Sequence, residues 1–439
     1  MRHWRRWRHW RHGRVAGLLC AILVLTGCGP ADGPAKPYAG QSVEVAGTWT
    51  GAEQANFERV LRAFGTRTGA KVRYTSGGSD LDVLVAGRIR GGTPFDVAMI
   101  PQPGVIARYA STGAAKPVTG VAEQAVRAHF SPQWQRFGTV DGRLYGVYFK
   151  AANKSVIWYR SDAFTAAGVT PPVTLAELTT VSRTLVDSGT TAMAVPGADG
   201  WPLTDWFENL YLQLAGAEAY DRLAARGVPW TDPTVVETLR AMGQYWVSPR
   251  FLQGGPDGAL QTTFTQSVAD VFGRRPRAGM LYEGDFVTTE IAKLGSYRVG
   301  EGARYFAWPS VDGTTGAVVA GGDAAVAFTD RPVTMALMAY LASPEAAEIM
   351  ARSGGFLSVN VDLDPTVYPD ATTRALADSL LHATTLRFDL SDLTPAGFGG
   401  GNGASMWRLL QEYLAAPTTD PAAVAARLET AAAGAYRTA

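Results

Sequence analysis

Two kinds of side chain stand in this sequence at places where no regular element asks for them. One is the flat ring on a loop. Trp49 has no apolar neighbours at helical or strand spacing, and Trp201 lies between Gly200 and Pro202. The other is the hydrogen-bonding group after an apolar run, as with Ser79, Asp80, Gln102 and Asp323, the last preceded by Gly321 and Gly322. The segment MLYEGDF adds Tyr282, Glu283 and Asp285, whose two carboxylates share one face if the chain is extended. Such a pair serves as general acid and base, or simply as acceptors for hydroxyl groups. Rings and acceptors together suit a small polar ligand with apolar faces.

Each of these residues also has a structural reading. Glu53 stands three residues after Thr50, the spacing of a capping box, so a helix start explains it as well as ligand contact does. Trp158 sits in a strand-like run, where core packing outranks a cleft contact. Trp206 falls on a helix face with Leu210, and Thr204 or Asp205 is placed to cap that helix. Gly322 beside Asp323 lets a backbone approach a ligand closely, or marks a plain turn between two strands. Arg387 has Asp389 and Asp392 nearby as ion-pair partners.

The elements that must position these groups alternate. Ser42 to Ala46 and Lys71 to Thr75 have period two, and Phe95 to Ile100 is a short apolar run between prolines. Between them, Phe57, Val60, Leu61 and Phe64 have helical spacing, and Leu81, Leu84, Val85 and Ile89 come close to it. Strand, helix, strand, helix, strand predicts a parallel sheet with right-handed crossovers, its loops at 47–50, 76–80 and 101–104 along one edge, where open α/β folds bind ligands. Two strand-like segments, 144–149 and 155–159, flank a polar step at 150–154 that reads as a crossing to a second lobe. Helices are expected from Pro332 to Leu341 and from Pro344 to Arg352, each with proline in its first turn.

The ends bound the rest. MRHWRRWRHWRHGR and the apolar run from Val15 to Leu25 read as a secretory signal, and no other run is apolar enough to span a bilayer. Leu25-Thr26-Gly27-Cys28 resembles the bacterial lipobox, in which the cysteine is acylated and becomes the first residue. With Cys20 removed by cleavage, one cysteine remains and no internal disulfide is possible. Residues 1–27 carry six arginines and no acid, so the mature charge is 34 − 39 = −5, which argues against nucleic acid. His129 and His382 alone remain, too few for a histidine metal site.

Taken in order, the blocks WTGAEQANFERVLRAF, DLDVLVAGRIRGGTPFDVAMIPQPG, WPLTDWFENLYLQLAGAEAYD, GGDAAVAFTDRPVTMALMAYLASPEAA, SGGF and RFDLSDLTPAGFG resemble the solute-binding lipoproteins of bacterial ABC sugar importers. That broad family includes maltose-binding protein, and the similarity is greatest to its alpha-glucoside-binding branch. FGRRPRAGMLYEGDF departs from that branch's usual segment before GDF. The resemblance implies an α/β, two-lobed periplasmic-binding-protein fold, each lobe a mixed, mostly parallel sheet flanked by helices, with the ligand cleft between them. Crossings are implied near Phe149, Trp308 and Phe356. The expected division is a signal peptide at 1–27, lipidated Cys28 and a tether to 41, one lobe from 42–149 plus 309–354, and another from 150–308 plus 355–439. Trp49, Glu53, Ser79, Asp80, Gln102, Trp158, Trp201, Asp205, Trp206, Tyr282, Glu283, Asp285, Gly322, Asp323 and Phe356 are the expected ligand-binding residues.

The same resemblance implies no cofactor, no catalysis, a monomer, a membrane permease as partner, and attachment to the outer face of the cytoplasmic membrane. The competing class is a secreted glycoside hydrolase, which needs only two carboxylates. G-x-S-x-G, H-E-x-x-H and G-x-x-x-x-G-K-[ST] are missing from the sequence. A third reading keeps the fold and changes the ligand to a polyol, sugar phosphate or polyamine.

Overall fold

The computed structural model describes residues 36–400 and 405–438. The expected signal segment and Cys28 lie outside the described residues. From Ser42 the chain forms β1 (Ser42–Gly47), α1 (Gly51–Thr68), β2 (Lys71–Ser76), α2 (Leu81–Arg90), β3 (Val97–Ile100) and α3 (Pro103–Ser111). β2 and β3 flank β1, both parallel to it, as the two periodicities predict. Phe57, Val60, Leu61 and Phe64 are all buried on the inner face of α1, and Leu81 and Val85 on that of α2. The capping box is not formed. Thr50 has extended backbone but its side chain makes no cap bond, and the Glu53 side chain goes to Lys150 on another strand.

A small hairpin, β4 (Thr139–Val140) and β5 (Arg143–Leu144), turns through Asp141 and Gly142, both at positive φ. β6 (Gly146–Asn153) follows and runs straight into β7 (Val156–Arg160), so the step between lobes is narrower than the polar stretch 150–154 suggested. Lys150 belongs to β6 itself. The remaining strands are β8 (Thr191–Ala194), β9 (Ala278–Tyr282), β10 (Ala303–Ala307), β11 (Ala317–Ala327) and β12 (Thr385–Phe388).

Two principal sheets result. The larger has the order β12-β11-β3-β1-β2 with β6 also paired to β11, and the smaller has the order β10-β7-β9-β8. Consecutive strands β6 and β7 therefore lie in different sheets. The plain turn, one of the two readings open for Gly322, is not formed in β11. The strand is continuous instead, antiparallel to β6, with an irregularity between Asp323 and Ala324. A Cβ at Gly322 would stand 2.5 Å from the Lys150 carbonyl oxygen, so the glycine permits close pairing there and not a turn.

The helix that carries Trp206 begins earlier than the capping residues suggested. It starts at Trp201 behind Gly200 at φ 79°, with Pro202 in its first turn, and reaches Ala224 across a kink at Gly216 (φ 81°). Thr204 donates to the Trp201 carbonyl at 2.7 Å, inside the helix and not as its cap. Helices Pro332–Leu341 and Pro344–Ala351 form where their prolines place them. Among the described residues, no helix is long and apolar enough to cross a membrane.

Candidate functional site

The site is built on the seam where β6 leaves the larger sheet. Asp323 on β11 pairs in register with Lys150 on β6. The Lys150 ammonium, in a side chain only 8% exposed, makes an ion pair with Glu53 and stands 5.7 Å from the centre of the Trp49 ring. Burial alone would push Lys150 down, but Glu53 and Asp323 outweigh it and hold it raised and charged. Burial pushes Asp323 up to about 6, opposed mainly by Lys150 and by a hydrogen bond from Trp49.

Four residues along the chain the arrangement recurs with different partners. The Lys154 stem crosses Gly321, where a Cβ would lie 2.8 Å from Lys154 Cε. Its ammonium is 3.1 Å from Asp205 Oδ1, pairs also with Asp389, and stands 5.7 Å from the Trp201 ring centre. The two carboxyls behave oppositely. Burial favours protonation of both, yet Lys154, Ser391 and the Asp392 N–H bring Asp389 down to about 2. Asp205 is pushed well up by burial, and the neighbouring Asp389 adds to the effect against Lys154. Glu208, also raised by burial, accepts from the Leu390 and Ser391 N–H groups at 2.8 and 2.9 Å and so ties the segment after β12 to the helix of Asp205.

The rim carries further polar and aromatic groups. Asp392, raised by burial and by Asp389, is hydrogen-bonded by Gln102 at the start of α3. The half-buried Trp201 ring lies 6.0 Å from Phe264 and 5.9 Å from Phe286, and Trp407 packs beside Gly200. Among the described residues, oxygens of Asp205, Glu208 and Asp389 come within 4.8 Å of one another, a spacing that suits a metal. Lys154 already supplies a cation to two of the three.

Of the residues expected from sequence, Trp49, Glu53 and Asp323 gather around Lys150, Trp201 and Asp205 around Lys154, and Gln102 joins through Asp392. Glu283 and Asp285 diverge instead of sharing a face, because β9 ends at Tyr282. Asp285 accepts from the Asn153 N–H at 2.6 Å, and burial, against Lys150, pushes it up to about 7. Glu283 is buried without a hydrogen-bond partner of ordinary geometry and is raised by burial and Asp205.

Others take structural places. Trp158 is wholly buried and donates to the Gly284 carbonyl at 3.0 Å, fixing the turn that carries Glu283 and Asp285. Trp206 packs among Tyr245, Trp246, Tyr282 and Trp308. Tyr282 is buried and donates to the Lys154 carbonyl at 3.0 Å, a support behind the seam. Phe356 is fully buried 5.1 Å from Phe149. Gly322 faces the Lys150 carbonyl, Asp80 is exposed at the end of the short turn Gly78–Asp80, and Ser79 lies in that turn. Arg387 pairs with Asp221 at 2.6 and 2.9 Å, which leaves Asp389 and Asp392 to the site.

Sequence reasoning missed Lys150, Lys154, Glu208, Asp389, Asp392 and Trp407. One signal was present: lysines at 150 and 154 are an even number of residues apart, hence on one face of an extended chain.

Two sheets, joined where β6 of one leads through two residues into β7 of the other beside a cluster of acids, lysines and rings, are the frame of a two-lobed solute receptor. The chain belongs to the family described as bacterial extracellular solute-binding protein, whose model matches residues 46–348. It is similar to the osmoprotective compounds-binding protein GgtB of Synechocystis sp., 30% identical over 91% of this chain and 95% of that protein. It is likewise similar to the alpha-glucosides-binding periplasmic protein AglE of Rhizobium meliloti, 30% identical over 82% of this chain and 81% of that one. Among solved structures, the bacterial solute receptor AcbH, described as preferring β-D-galactopyranose, has a TM-score of 0.78 at 18% identity over 91% of this chain and 99% of its own. A chitin oligosaccharide binding protein has a TM-score of 0.76 at 18% identity over 90% and 99%.

Proposed function

We propose that this chain is the extracellular receptor of an ABC importer for a carbohydrate, an α-glucoside or another oligosaccharide, which it holds at the seam and delivers unchanged to a membrane permease. The observation that carries the reading is the pairing of ring and charge along β6. Trp49 with Lys150, Glu53 and Asp323, then Trp201 with Lys154 and Asp205, offer apolar faces to sugar C–H groups and donors and acceptors to hydroxyls. The name of AglE, an alpha-glucosides-binding protein, supports a hydroxyl-rich ligand. Gln102, Asp285 and Asp392 complete the polar set.

The lobes in this reading are 42–149 plus 309–354 and 150–308 plus 355–439, except that β12 (Thr385–Phe388) pairs with β11 and so goes with the first. The exported, monomeric chain is held at the outer face of the cytoplasmic membrane by acyl groups on Cys28, and it needs no cofactor. Thermal unfolding in the presence of maltose, trehalose, galactose and raffinose tests the proposal. A ligand that binds the folded state raises Tm in proportion to the logarithm of its concentration above Kd. At least one of these sugars is expected to do so and to be recovered intact by chromatography. No shift with any hydroxylated solute, or the appearance of hydrolysis products, would refute it.

A further inference from the structure

Glu208 stands one turn after Asp205 on the helix Trp201–Ala224 and is completely buried. Its two oxygens are engaged separately, Oε2 accepting the Leu390 N–H at 2.8 Å and Oε1 the Ser391 N–H at 2.9 Å. Farther along the same helix, the Tyr220 hydroxyl donates to the Phe388 carbonyl at 3.0 Å. One helix therefore holds the chain on both sides of Asp389. Asp389 divides its own carboxylate in the same way: Oδ1 accepts from the Ser391 hydroxyl at 2.7 Å and from the Asp392 N–H at 3.0 Å, which leaves Oδ2 for Lys154. The other acid on Lys154 is Asp205, from the helix of Glu208 itself. The separation of the two acids is thus set by a pair of backbone hydrogen bonds to one buried side chain, and groups that meet a ligand keep their geometry when neighbouring bonds lock them.

We propose that Glu208 is a positioning residue of the sugar site: without touching the ligand, it fixes the distance between Asp205 and Asp389 and so the place of the Lys154 ammonium beside the Trp201 ring. The role rests on the reading of the seam as a carbohydrate site. Glu208 has no direct route to a ligand, being 0% exposed with both oxygens taken. Glutamine has the same shape but offers an acceptor and a donor in place of two acceptors, so its NH₂ group would meet a backbone N–H and one buried donor would go unmet. The segment after β12 would then move off, carrying Asp389 from Lys154 and Asp392 from Gln102.

The full chain is titrated in turn with maltose, trehalose, galactose and raffinose by calorimetry, and the Lys154 ε-methylene resonance, assigned from Lys154→Arg, is followed in ¹³C-lysine-labelled protein. Glu208→Gln is expected to weaken the tightest of these sugars about tenfold, within the usual loss for one unmet buried donor, and to displace the Lys154 resonance. Glu208→Asp, too short to reach both N–H groups, should do the same if the first variant fails to fold. Tyr413→Phe removes a buried hydrogen bond to the Leu239 carbonyl and should lower stability with neither effect. In an Asp389→Asn background Glu208→Gln should cost no further affinity, because the group it positions is already gone. Unaltered affinity, an unmoved Lys154 resonance, or losses that simply add in the double variant would overturn the proposal, since a general loosening of the lobe gives additive losses. If the unaltered chain binds none of the four sugars, the carbohydrate reading fails, and the Lys154 resonance alone decides whether Glu208 sets the ion pairs.

Discussion

Trp49 and Trp201 were read from the sequence as equivalent rings, and their surroundings separate them. Trp49 is 4% exposed, its ring 4.7 Å from Phe57 and edge-on to it, so it belongs to the core as well as to the site. Trp201 is half-buried at the start of its helix. Trp49→Ala is therefore expected to cost about 3 kcal/mol of stability in denaturant unfolding. Trp201→Ala should cost about 1 kcal/mol while weakening sugar affinity about tenfold in calorimetry. Comparable stability losses in both, or an unchanged affinity for Trp201→Ala, would contradict this assignment. The rings were legible because a tryptophan outside any period stands out. The lysines were not, since a lysine in a polar step reads as solvated, and the acids that claim Lys154 are 51 and 235 positions away.

The elements of the larger sheet were legible where local pattern and tertiary need agree. β1, α1, β2, α2 and β3 follow from two clean periodicities. β11 did not, because glycines that mark turns locally here make room for the Lys150 carbonyl and the Lys154 stem, neither of which a one-dimensional pattern contains. The contrast is measurable at two glycines. Gly322→Ala sets a methyl group against backbone and is expected to lower stability by about 3 kcal/mol. Gly87, inside α2 with open space around its added Cβ, should gain about 1 kcal/mol on replacement by alanine. Urea unfolding of both variants decides it, and a stable Gly322→Ala would mean that the strands part without cost.

For the whole molecule, the seam sets the response to pH. Asp285 and Asp323 keep their protons up to about 7 and about 6 in the folded chain, against 3.8 otherwise. Between roughly pH 4 and 7 the folded state thus binds more protons than the unfolded one, and stability falls as pH rises. Asp389, brought down to about 2, works in the opposite sense, its contribution present above the ordinary carboxylate range and lost as pH falls toward 2. The ligand-free chain should be most stable at about pH 4 to 5, by a few kcal/mol over neutrality if these groups dominate. Denaturant midpoints that climb steadily to pH 7 would refute that. One further property follows from the passage of β6 into β7 through Lys154 and Ser155 alone. The chain there keeps count: a single codon inserted after Asn153 would turn the lysine toward the opposite side and present its neighbour to Asp205 and Asp389. Surface loops elsewhere in the chain can change length at little cost, whereas a change of length at this dipeptide moves the buried cation off both of its acids.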